Sequence, residues 1–298
     1  MALPITAKIN VKRHLEVGGC DIVELAKKYG TPLYVLDEET IREKCREYKH
    51  FLNKYYPDSQ VLYASKALSV VAVMKIMAEM DMGVDITSGG ELFTAMVAGV
   101  DPAKIYFHGN NKSEAEIAES LRANIGRFVV DSFAEIEFLS KIVVAHGKTA
   151  NVMIRVLPGI EAHTHEFIQT GKLDSKFGIP ISLVPKAVRR ITELPGLKFM
   201  GIHAHIGSQI LKVKPFVVLA EKLGDLAKEI KKKTGQDIVE LNLGGGLGIH
   251  YSNGDEPPKI ESLAKAIATA VKEKFPKNPP KLLIEPGRAF LSQAGLTL

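Results

Sequence analysis

The feature that most constrains this chain is an alternation that repeats eight times from about residue 60 onward. Each repeat joins a short apolar run, a turn with glycine or polar residues, and an amphipathic stretch. The runs show little period-two alternation, which is typical of strands buried on both faces of a parallel sheet. The predicted strands are Gln60–Lys66, Gly83–Thr87, Lys104–His108, Phe128–Asp131, Asn151–Val156, Lys198–His205, Ile238–Leu243 and Lys281–Glu285.

The stretches between these strands carry apolar residues three and four apart, which predicts amphipathic helices. Eight strands that each adjoin a helix favour an α/β fold of the closed (β/α)8 TIM-barrel type. An open, doubly wound sheet is the alternative. The predicted helices are Glu39–Leu52, Val70–Glu79, Gly90–Val97, Glu114–Ala123, Phe133–Ala145, Leu183–Glu193, Pro215–Lys232 and Glu261–Lys274.

Composition narrows the class of protein. The 39 basic side chains exceed the 34 acidic ones by only 5 and are spread along the chain, which argues against a nucleic-acid partner. Cys20 and Cys45 lie in no disulfide or metal-ligand spacing, which favours a reducing compartment. No apolar run reaches the roughly eighteen residues of a membrane span, and the amino terminus lacks a signal-peptide pattern. These observations predict a cytoplasmic protein that does not bind a membrane.

The two ends of the chain do not follow the barrel pattern. We expect the barrel to occupy residues 38–288, preceded by a segment over residues 1–37 that contains the short apolar run Pro32–Leu36. The last ten residues, AFLSQAGLTL, are apolar and lack a helix cap, a proline or a charged tail. We therefore predict that residues 289–298 begin a second β-domain, which the amino-terminal strand joins and most of which is absent from this chain.

Chemically active side chains fall at the carboxyl ends of the predicted strands. In (β/α)8 barrels the active site lies on this rim, so residues far apart in sequence converge there. The strand-end residues are Lys66, Asp85, His108, Asp131, Arg155, His205, the triplet Gly244–Gly246 and the segment Glu285–Arg288.

Two of these features allow both a functional and a structural interpretation. Lys66 is either a solvated strand-end lysine or a desolvated nucleophile able to form a Schiff base. The triplet Gly244–Gly246 is either a flexible turn or a loop whose N–H groups approach an anion closely. It matches neither the Gly-x-Gly-x-x-Gly dinucleotide motif nor a P-loop.

The remaining polar motifs are also ambiguous when taken alone. Glu285 is either the partner of Arg288 in an internal salt bridge or the acceptor for a cationic ligand group, and Arg288 is able to bind a phosphate or a carboxylate. His203 and His205 lie two apart on a strand and so face the same side, a spacing that also occurs in metal sites. His163-Thr-His165 repeats it, but no acidic ligand set has a matching spacing. A metal hydrolase is therefore an alternative, and we predict no metal.

Together, six ordered motifs resemble the fold-type III pyridoxal-phosphate decarboxylases. The segments at residues 165–179 and 203–209 are more similar to the diaminopimelate branch of that family than to its ornithine or arginine branches. The resemblance implies an alanine racemase-like barrel with pyridoxal 5′-phosphate as the cofactor. The motifs are YASKAL (63–68), GVDITSGGEL (83–92), TGKLDSKFGI (170–179), HAHIGSQ (203–209), NLGGGLGI (242–249) and EPGR (285–288).

The resemblance also implies roles for the rim residues. Lys66, His205 and Glu285 are the expected catalytic residues: Lys66 attaches the cofactor, His205 stacks on its ring, and Glu285 pairs with the pyridine nitrogen. Asp85 orients the attachment region, and Arg155 lies near the ring hydroxyl. Arg288 meets the phosphate or a substrate carboxylate. The expected phosphate contacts are Ser208, Gly244, Gly245, Gly246, Pro286 and Gly287.

The reaction implied is that of a carboxy-lyase which converts meso-2,6-diaminopimelate to L-lysine and carbon dioxide, the last step of lysine biosynthesis. A sister decarboxylase for ornithine, arginine or carboxynorspermidine and a noncatalytic homologue are the alternatives. The family pattern also implies a homodimer with shared active sites. Its carboxyl-terminal β-domain, with a cysteine motif and a tyrosine near the cofactor, is not found in these residues, which leaves the activity of this chain open.

Overall fold

The protein is described by a computed structural model that covers residues 3–160, 177–251 and 254–298. Its amino-terminal part is a three-stranded antiparallel sheet followed by a helix, a single strand and a long helix. The Asp21 carboxylate starts the first helix, because it accepts hydrogen bonds from the N–H groups of Val23 and Glu24. The elements are β1 (Lys8–Ile9), β2 (Leu15–Val17), β3 (Cys20–Asp21), α1 (Ile22–Tyr29), β4 (Tyr34–Leu36) and α2 (Glu38–Tyr55).

Eight parallel strands then close into a ring, which confirms the predicted barrel. Each strand pairs with the next along the chain, and the last pairs with the first through Leu282↔Ser59 and Ile284↔Val61. A short ninth strand, β10 (Ile179–Pro180), pairs in parallel with the last two residues of β9, beyond the pairings that form the ring. The ring strands are β5 (Ser59–Ala64), β6 (Gly83–Ile86), β7 (Ile105–Phe107), β8 (Arg127–Val130), β9 (Ala150–Leu157), β11 (Leu197–His203), β12 (Glu240–Asn242) and β13 (Lys281–Ile284).

Helices surround the ring at the predicted places, with ends shifted by a few residues. α2 extends to Tyr55, and the helix predicted over Pro215–Lys232 runs from Lys214 to Thr234. The outer helices are α3 (Val71–Glu79), α4 (Gly89–Val97), α5 (Glu114–Ala123), α6 (Phe133–Ala145), α7 (Val184–Glu193), α8 (Lys214–Thr234) and α9 (Ile260–Lys274). Their apolar faces and the outward side chains of the strands form the main hydrophobic core.

Serine caps set the direction of the chain as it leaves the carboxyl ends of two strands. Ser88 accepts a hydrogen bond from the Glu91 N–H at the start of α4, and Ser132 accepts one from the Glu135 N–H at the start of α6. A serine cap satisfies an N–H group that the helix leaves unpaired. The helices therefore begin within two residues of these strands, which keeps Asp85 and Asp131 at the rim of the barrel.

Inside the ring, side chains form three layers. The middle layer is a separate apolar cluster of Leu62, Tyr106, Val129, Met153, Met200 and Leu283. At the amino ends of the strands Glu240 forms a bidentate ion pair with Arg127, at 2.9 and 2.6 Å. Polar side chains at the carboxyl ends form the third layer. The barrel is thus closed by a packed centre, and its polar chemistry is confined to its two ends.

The last described residues return to the amino-terminal part. After β13 the chain forms α10 (Arg288–Leu291) and β14 (Gly295–Thr297), which pairs antiparallel with β4. Ala294 O accepts a hydrogen bond from the Asp37 N–H at 2.8 Å, so this return lies against the start of α2. The division into residues 1–37, 38–288 and 289–298 stays a prediction. Among the described residues no helix is long and apolar enough to cross a membrane.

Candidate active site

A cavity of about 690 Å³ opens at the carboxyl ends of the barrel strands. That volume is within the usual range for a small-molecule site. The structure brings together almost all of the residues that the sequence predicts for the site, from six of the eight barrel strands. Those lining the cavity are Lys66, Asp85, Arg155, His205, Ser208, Gly245, Gly246, Glu285, Pro286, Gly287 and Arg288.

Lys66 lies at the edge of this cavity but not on the strand where the sequence places it. β5 ends at Ala64, and Lys66 belongs to the 3₁₀ turn Ser65–Ala67. The turn carries the lysine out of the sheet, so Lys66 is exposed. Of the two interpretations left open above, the structure of this chain therefore favours a solvent-accessible lysine at the cavity mouth.

Glu285 is the most closely coordinated side chain of the site. It follows β13 and is 6% exposed. Asn242 Nδ2 donates to Oε1 at 2.6 Å, and His203 Nε2 lies 3.0 Å from Oε2. His108 Nε2 is 2.9 Å from Oε1. Burial acts to raise the pKa of Glu285, but the two imidazoles outweigh it and hold this pKa well below its usual range. Glu285 is thus ionised although it is buried.

Asp85, at the end of β6, is a second buried carboxylate with the opposite behaviour. Burial raises the pKa of Asp85 to about 6, and His108 and Lys66 lower it only in part. Asp85 Oδ1 has no hydrogen-bond partner among the described residues, and the nearest imidazole atom, His108 Nε2, is 3.9 Å away. Two carboxylates in one cavity with pKa values displaced in opposite directions are characteristic of acid–base sites.

Both histidines of the motif at 203–205 line the cavity, as the period-two spacing predicts, although β11 ends at His203. Burial lowers the pKa of His203 to about 4, so its ring is neutral at physiological pH. Burial, with Lys66 and Arg155 nearby, lowers the pKa of His205 well below its ordinary value. Neutral rings are able to lie against an uncharged or cationic group without repelling it.

The glycine triplet is required first by packing between strand ends. A Cβ on Gly245 would lie 2.0 Å from Glu285 O, and one on Gly246 would lie 2.1 Å from Gly207 O. Gly246 also has a φ of +112°. The N–H groups of Gly245 and Gly246 have no acceptor among the described residues. They are therefore available to an anion in the cavity.

Gly244 differs from its two neighbours because it does not line the cavity. Its N–H donates to Asn242 Oδ1 at 2.9 Å, and its carbonyl accepts from the Glu285 N–H at 2.8 Å. The structure thus places Gly244 behind the cavity wall, with its backbone already engaged. Its predicted contact with the cofactor stays a prediction.

Two arginines line the cavity. Arg155, on β9, lies with its guanidinium carbon 4.5 Å from the ring centroid of Phe177. Arg288, which follows Gly287, donates from Nη1 to the Tyr251 hydroxyl, while its buried Nε has no partner among the described residues. Arg288 does not pair with Glu285 in the described contacts, so the internal salt bridge considered above is not formed. Within residues 3–160, 177–251 and 254–298 neither guanidinium group has a carboxylate partner, so both are able to meet an anionic ligand.

The structure adds a spatial grouping that sequence spacing does not show. His108, His203 and Glu285 place one possible ligand atom each within 4.8 Å of one another, and the absence of a metal stays a prediction. These donors come from three strands, so no linear spacing reveals them. Asn242 saturates Glu285 Oε1 with an N–H donor, which a metal ligand would have to give up. His163 and His165 lie outside the described residues.

Three further side chains take part in the contacts of the site without having been predicted as site residues. His108 appears above only as a strand end, and Asn242 and Tyr251 received no role. Asn242 is buried in the run that precedes the glycine triplet, where its side chain orients both Glu285 and Gly244. The signal for Asn242 was an amide inside an otherwise apolar strand, since a buried polar group needs partners. Nothing in the sequence marks Tyr251.

Comparison with known proteins identifies the family. Residues 38–292 match the family model for the pyridoxal-binding domain of the pyridoxal-dependent decarboxylases. A diaminopimelate decarboxylase from Halalkalibacterium halodurans is 43% identical over 98% of this chain and 68% of its own length. That of Bacillus subtilis is 41% identical over the whole chain and 69% of its own length.

A solved structure supports the same conclusion. The diaminopimelate decarboxylase of M. jannaschii, in complex with L-lysine, superposes with a TM-score of 0.92 at 35% identity, covering 100% of this chain and 70% of its own. The chain therefore spans about two thirds of the length of these relatives. With the barrel, the motifs and the relatives in agreement, it belongs to the diaminopimelate decarboxylase branch of the pyridoxal-dependent decarboxylases.

Proposed function

We propose that the chain carries the cofactor-binding barrel of an enzyme that decarboxylates meso-2,6-diaminopimelate to L-lysine and carbon dioxide. The observation that carries the proposal is the ionised, buried Glu285 at the inner end of a cavity whose mouth holds Lys66. The substrate is supported by relatives named diaminopimelate decarboxylase and by the lysine complex of the M. jannaschii protein.

The residues present fit pyridoxal 5′-phosphate. The cavity offers a buried carboxylate acceptor for the ring nitrogen and free N–H groups at Gly245 and Gly246 for the phosphate. Asp85 Oδ1, His203 Nδ1 and Arg288 Nε are buried there without hydrogen-bond partners among the described residues, which indicates a polar ligand. When bound, this cofactor supplies an electron sink for the electron pair that remains when carbon dioxide departs.

Three side chains are proposed to do the chemistry around it. Lys66 attaches the cofactor covalently, and its exposed position at the cavity mouth gives it room to be displaced by a substrate amine. Glu285 holds a proton on the ring nitrogen, because an ionised carboxylate stabilises the cationic form of its partner. His205 packs its neutral ring against the cofactor and excludes water from that face. Asp85 orients the region around Lys66.

The remaining contacts are proposed to hold the anionic groups. Ser208, Gly245, Gly246 and the backbone of Pro286 and Gly287 bind the phosphate, and Gly244 shapes the turn behind them. Arg155 contacts the ring hydroxyl. Arg288 is free to bind the phosphate or a substrate carboxylate, since its described partner is the Tyr251 hydroxyl and not an acid.

A covalent label tests the cofactor assignment. The protein is incubated with pyridoxal phosphate, reduced with borohydride and mapped by mass spectrometry. We expect the label on Lys66, and we expect Lys66→Ala to lose both the label and the absorption band of the bound cofactor. The matched control is Lys75→Ala on the exposed face of α3, which leaves both unchanged. A label elsewhere, or one that persists in Lys66→Ala, contradicts the assignment.

A substrate panel tests the reaction. Carbon dioxide release by the protein is measured with meso-diaminopimelate, ornithine, arginine and carboxynorspermidine. We expect release with meso-diaminopimelate at a kcat/KM at least a hundredfold above the others. Equal or better turnover of another amino acid would move the protein to a sister activity.

The same proposal includes a homodimer in the cytoplasm. The family resemblance supports the dimer, and Cys20 and Cys45, both free thiols, support a reducing compartment. Sedimentation velocity of the cofactor-bound protein checks the dimer, and we expect a dimeric mass. A monomer that is fully active would contradict shared active sites.

A further inference from the structure

His108 lies between the two buried carboxylates of the cavity. Its Nε2 is 2.9 Å from Glu285 Oε1 and 3.9 Å from Asp85 Oδ1, and the residue is only 3% exposed. Asp85 Oδ1 has no hydrogen-bond partner in the described part of the chain. One imidazole nitrogen thus connects the carboxylate near Lys66 with the carboxylate proposed to face the ring nitrogen.

The position of this imidazole is fixed from two sides. The backbone N–H of His108 donates to Ile86 O at 2.7 Å, which connects the end of β7 to the end of β6 beside Asp85. The His108 ring packs edge-on against the ring of His203, with centroids 4.7 Å apart and planes at 75°. The ring therefore places Nε2 close to both carboxylates, although Nε2 is not aligned for a hydrogen bond with either of them, so the contact acts through charge and proximity.

The charged and titratable groups around His108 come from every neighbouring element. Asp85 is on β6 and Glu285 follows β13, while His203 ends β11. Lys66, after β5, and Arg155, on β9, line the same cavity. Glu285 has three nitrogen contacts and Asp85 only the distant one, so a single proton entering the pair is held at Asp85 and not at Glu285.

We propose that His108 is a positioning residue that couples the protonation of Asp85 to that of Glu285 and so keeps Glu285 ionised. The inference rests on the proposed function, because the charge of Glu285 matters to a ring nitrogen only if the cofactor binds there. Without an ionisable group between them, two buried carboxylates repel each other and one takes up a proton at a higher pH. Removing His108 also takes away one of the three nitrogen contacts that favour ionised Glu285, so Glu285 would share this proton and lose part of its hold on the cofactor.

The test uses His108→Gln, which retains an N–H donor for Glu285 but cannot take up a proton, and His108→Leu, which removes both properties. The dissociation constant of pyridoxal phosphate is measured by fluorescence between about pH 5 and pH 8. Because Asp85 takes up a proton near pH 6, we expect wild-type affinity to fall only slightly towards the acidic end. In both variants we expect it to fall at least about tenfold at the acidic end, one pH unit corresponding to a factor of ten for a single proton.

His50→Gln, an exposed histidine on α2, is the matched control and should follow the wild type. If His108→Gln also follows the wild type, His108 serves only as a hydrogen-bond donor and the coupling is refuted. His108→Gln in the background of Asp85→Asn gives a second criterion, because the pH effect must then largely disappear. Additive effects of the two substitutions would also refute the coupling.

A measurement without cofactor separates this inference from the proposed function. Infrared titration of the unloaded protein detects the carbonyl band of a buried protonated carboxyl group. We expect this band to appear at a higher pH in His108→Gln than in the wild type, and to be lost in the double variant with Asp85→Asn. An unchanged titration refutes the coupling even if the cofactor binds. Failure of the wild type to bind the cofactor would overturn the proposed function alone.

Discussion

Glu285 combines burial with a full negative charge, which is costly unless every oxygen is matched by a donor. Asn242 donates to Oε1 at 2.6 Å and His203 Nε2 lies 3.0 Å from Oε2, while His108 Nε2 adds a contact 2.9 Å from Oε1. Breaking a buried arrangement of this kind leaves its partners unsatisfied. The chain therefore maintains one well-placed charge at the inner end of the cavity, and this charge defines the chemistry of the site.

Replacing that charge gives the first prediction. Glu285→Gln retains size and some hydrogen bonding but cannot stabilise a protonated ring nitrogen. We expect kcat to fall on the order of a hundredfold or more, which is typical of losing one preorganised electrostatic contact. The measurement is kcat with saturating cofactor, with circular dichroism to confirm the fold. A variant that retains more than a tenth of wild-type turnover would argue against this role for Glu285.

Asp85 gives a prediction about pH and stability. The pKa of its carboxyl is raised from 3.8 to about 6 in the folded chain. Between about pH 4 and pH 6 the folded state therefore binds more protons at Asp85 than the unfolded state does. The contribution of Asp85 to the free energy of unfolding consequently falls as the pH rises. Asp85→Asn removes the titration. Because one pKa unit corresponds to 1.36 kcal/mol, the variant should gain at most about 3 kcal/mol over the wild type between pH 4 and pH 7.

Urea unfolding of both proteins without cofactor, at several pH values across that range, checks this expectation. The comparison uses the difference between variant and wild type, so that the opposite contribution of His203 cancels. Parallel stability curves for the two proteins would show that Asp85 titrates normally.

On the scale of elements, the strand ends are packed so closely that only glycine fits between them. A Cβ at Gly245 would lie 2.0 Å from the carbonyl oxygen of Glu285, whereas one at Gly90, in α4, meets nothing closer than Ser88 Oγ at 3.9 Å. We expect Gly245→Ala to destabilise the fold by about 3 kcal/mol, through strain in a packed region. Gly90→Ala should stabilise it by about 0.5–1 kcal/mol through helix propensity.

Thermal and urea unfolding of the two variants beside the wild type measures this contrast. Gly245→Ala should also weaken cofactor binding, because the strand end that presents its N–H must shift. Equal stability of the two alanine variants would show that the strand ends shift at little cost in free energy. Glycine at position 245 would then be needed only for contact with the ligand.

The sequence predicted the helices and strands better than it predicted the contacts between side chains. Eight apolar runs and the helical spacing between them were sufficient to place every barrel strand, because burial on both faces leaves a clear pattern. The positions at which the strands end were predicted less well. Lys66 and His205 were placed on strands, but β5 and β11 end before them and the chain there leaves the sheet. The contacts among His108, Asn242 and Glu285 could not be predicted, since they join three strands across the barrel and leave no linear spacing.

In the molecule as a whole, the barrel separates two buried carboxylates by an apolar middle layer. Glu285 lies at the carboxyl ends of the strands within the cavity. Glu240 lies at the amino ends, where it contacts both Arg127 and the Tyr106 hydroxyl, the latter at 3.2 Å. The middle layer, with Leu62 and Met153, isolates the two ends from each other. The same residue type thus lies in the candidate active site at one end and in an ion pair within the ring at the other.

This separation predicts opposite consequences for one substitution at the two ends. Glu240→Gln leaves the half-buried Arg127 without a full counter-charge, and breaking such a pair costs about 3 kcal/mol. We expect it to lower the free energy of unfolding by that amount and to leave kcat and the cofactor dissociation constant within about twofold of the wild type. Glu285→Gln should have the reverse profile, with a large loss of kcat and a smaller change in stability.

Urea unfolding and turnover, measured for both variants under the same conditions, test this expectation. A loss of turnover in Glu240→Gln at temperatures where it is fully folded would mean that the apolar layer transmits changes from the amino end of the barrel to the cavity.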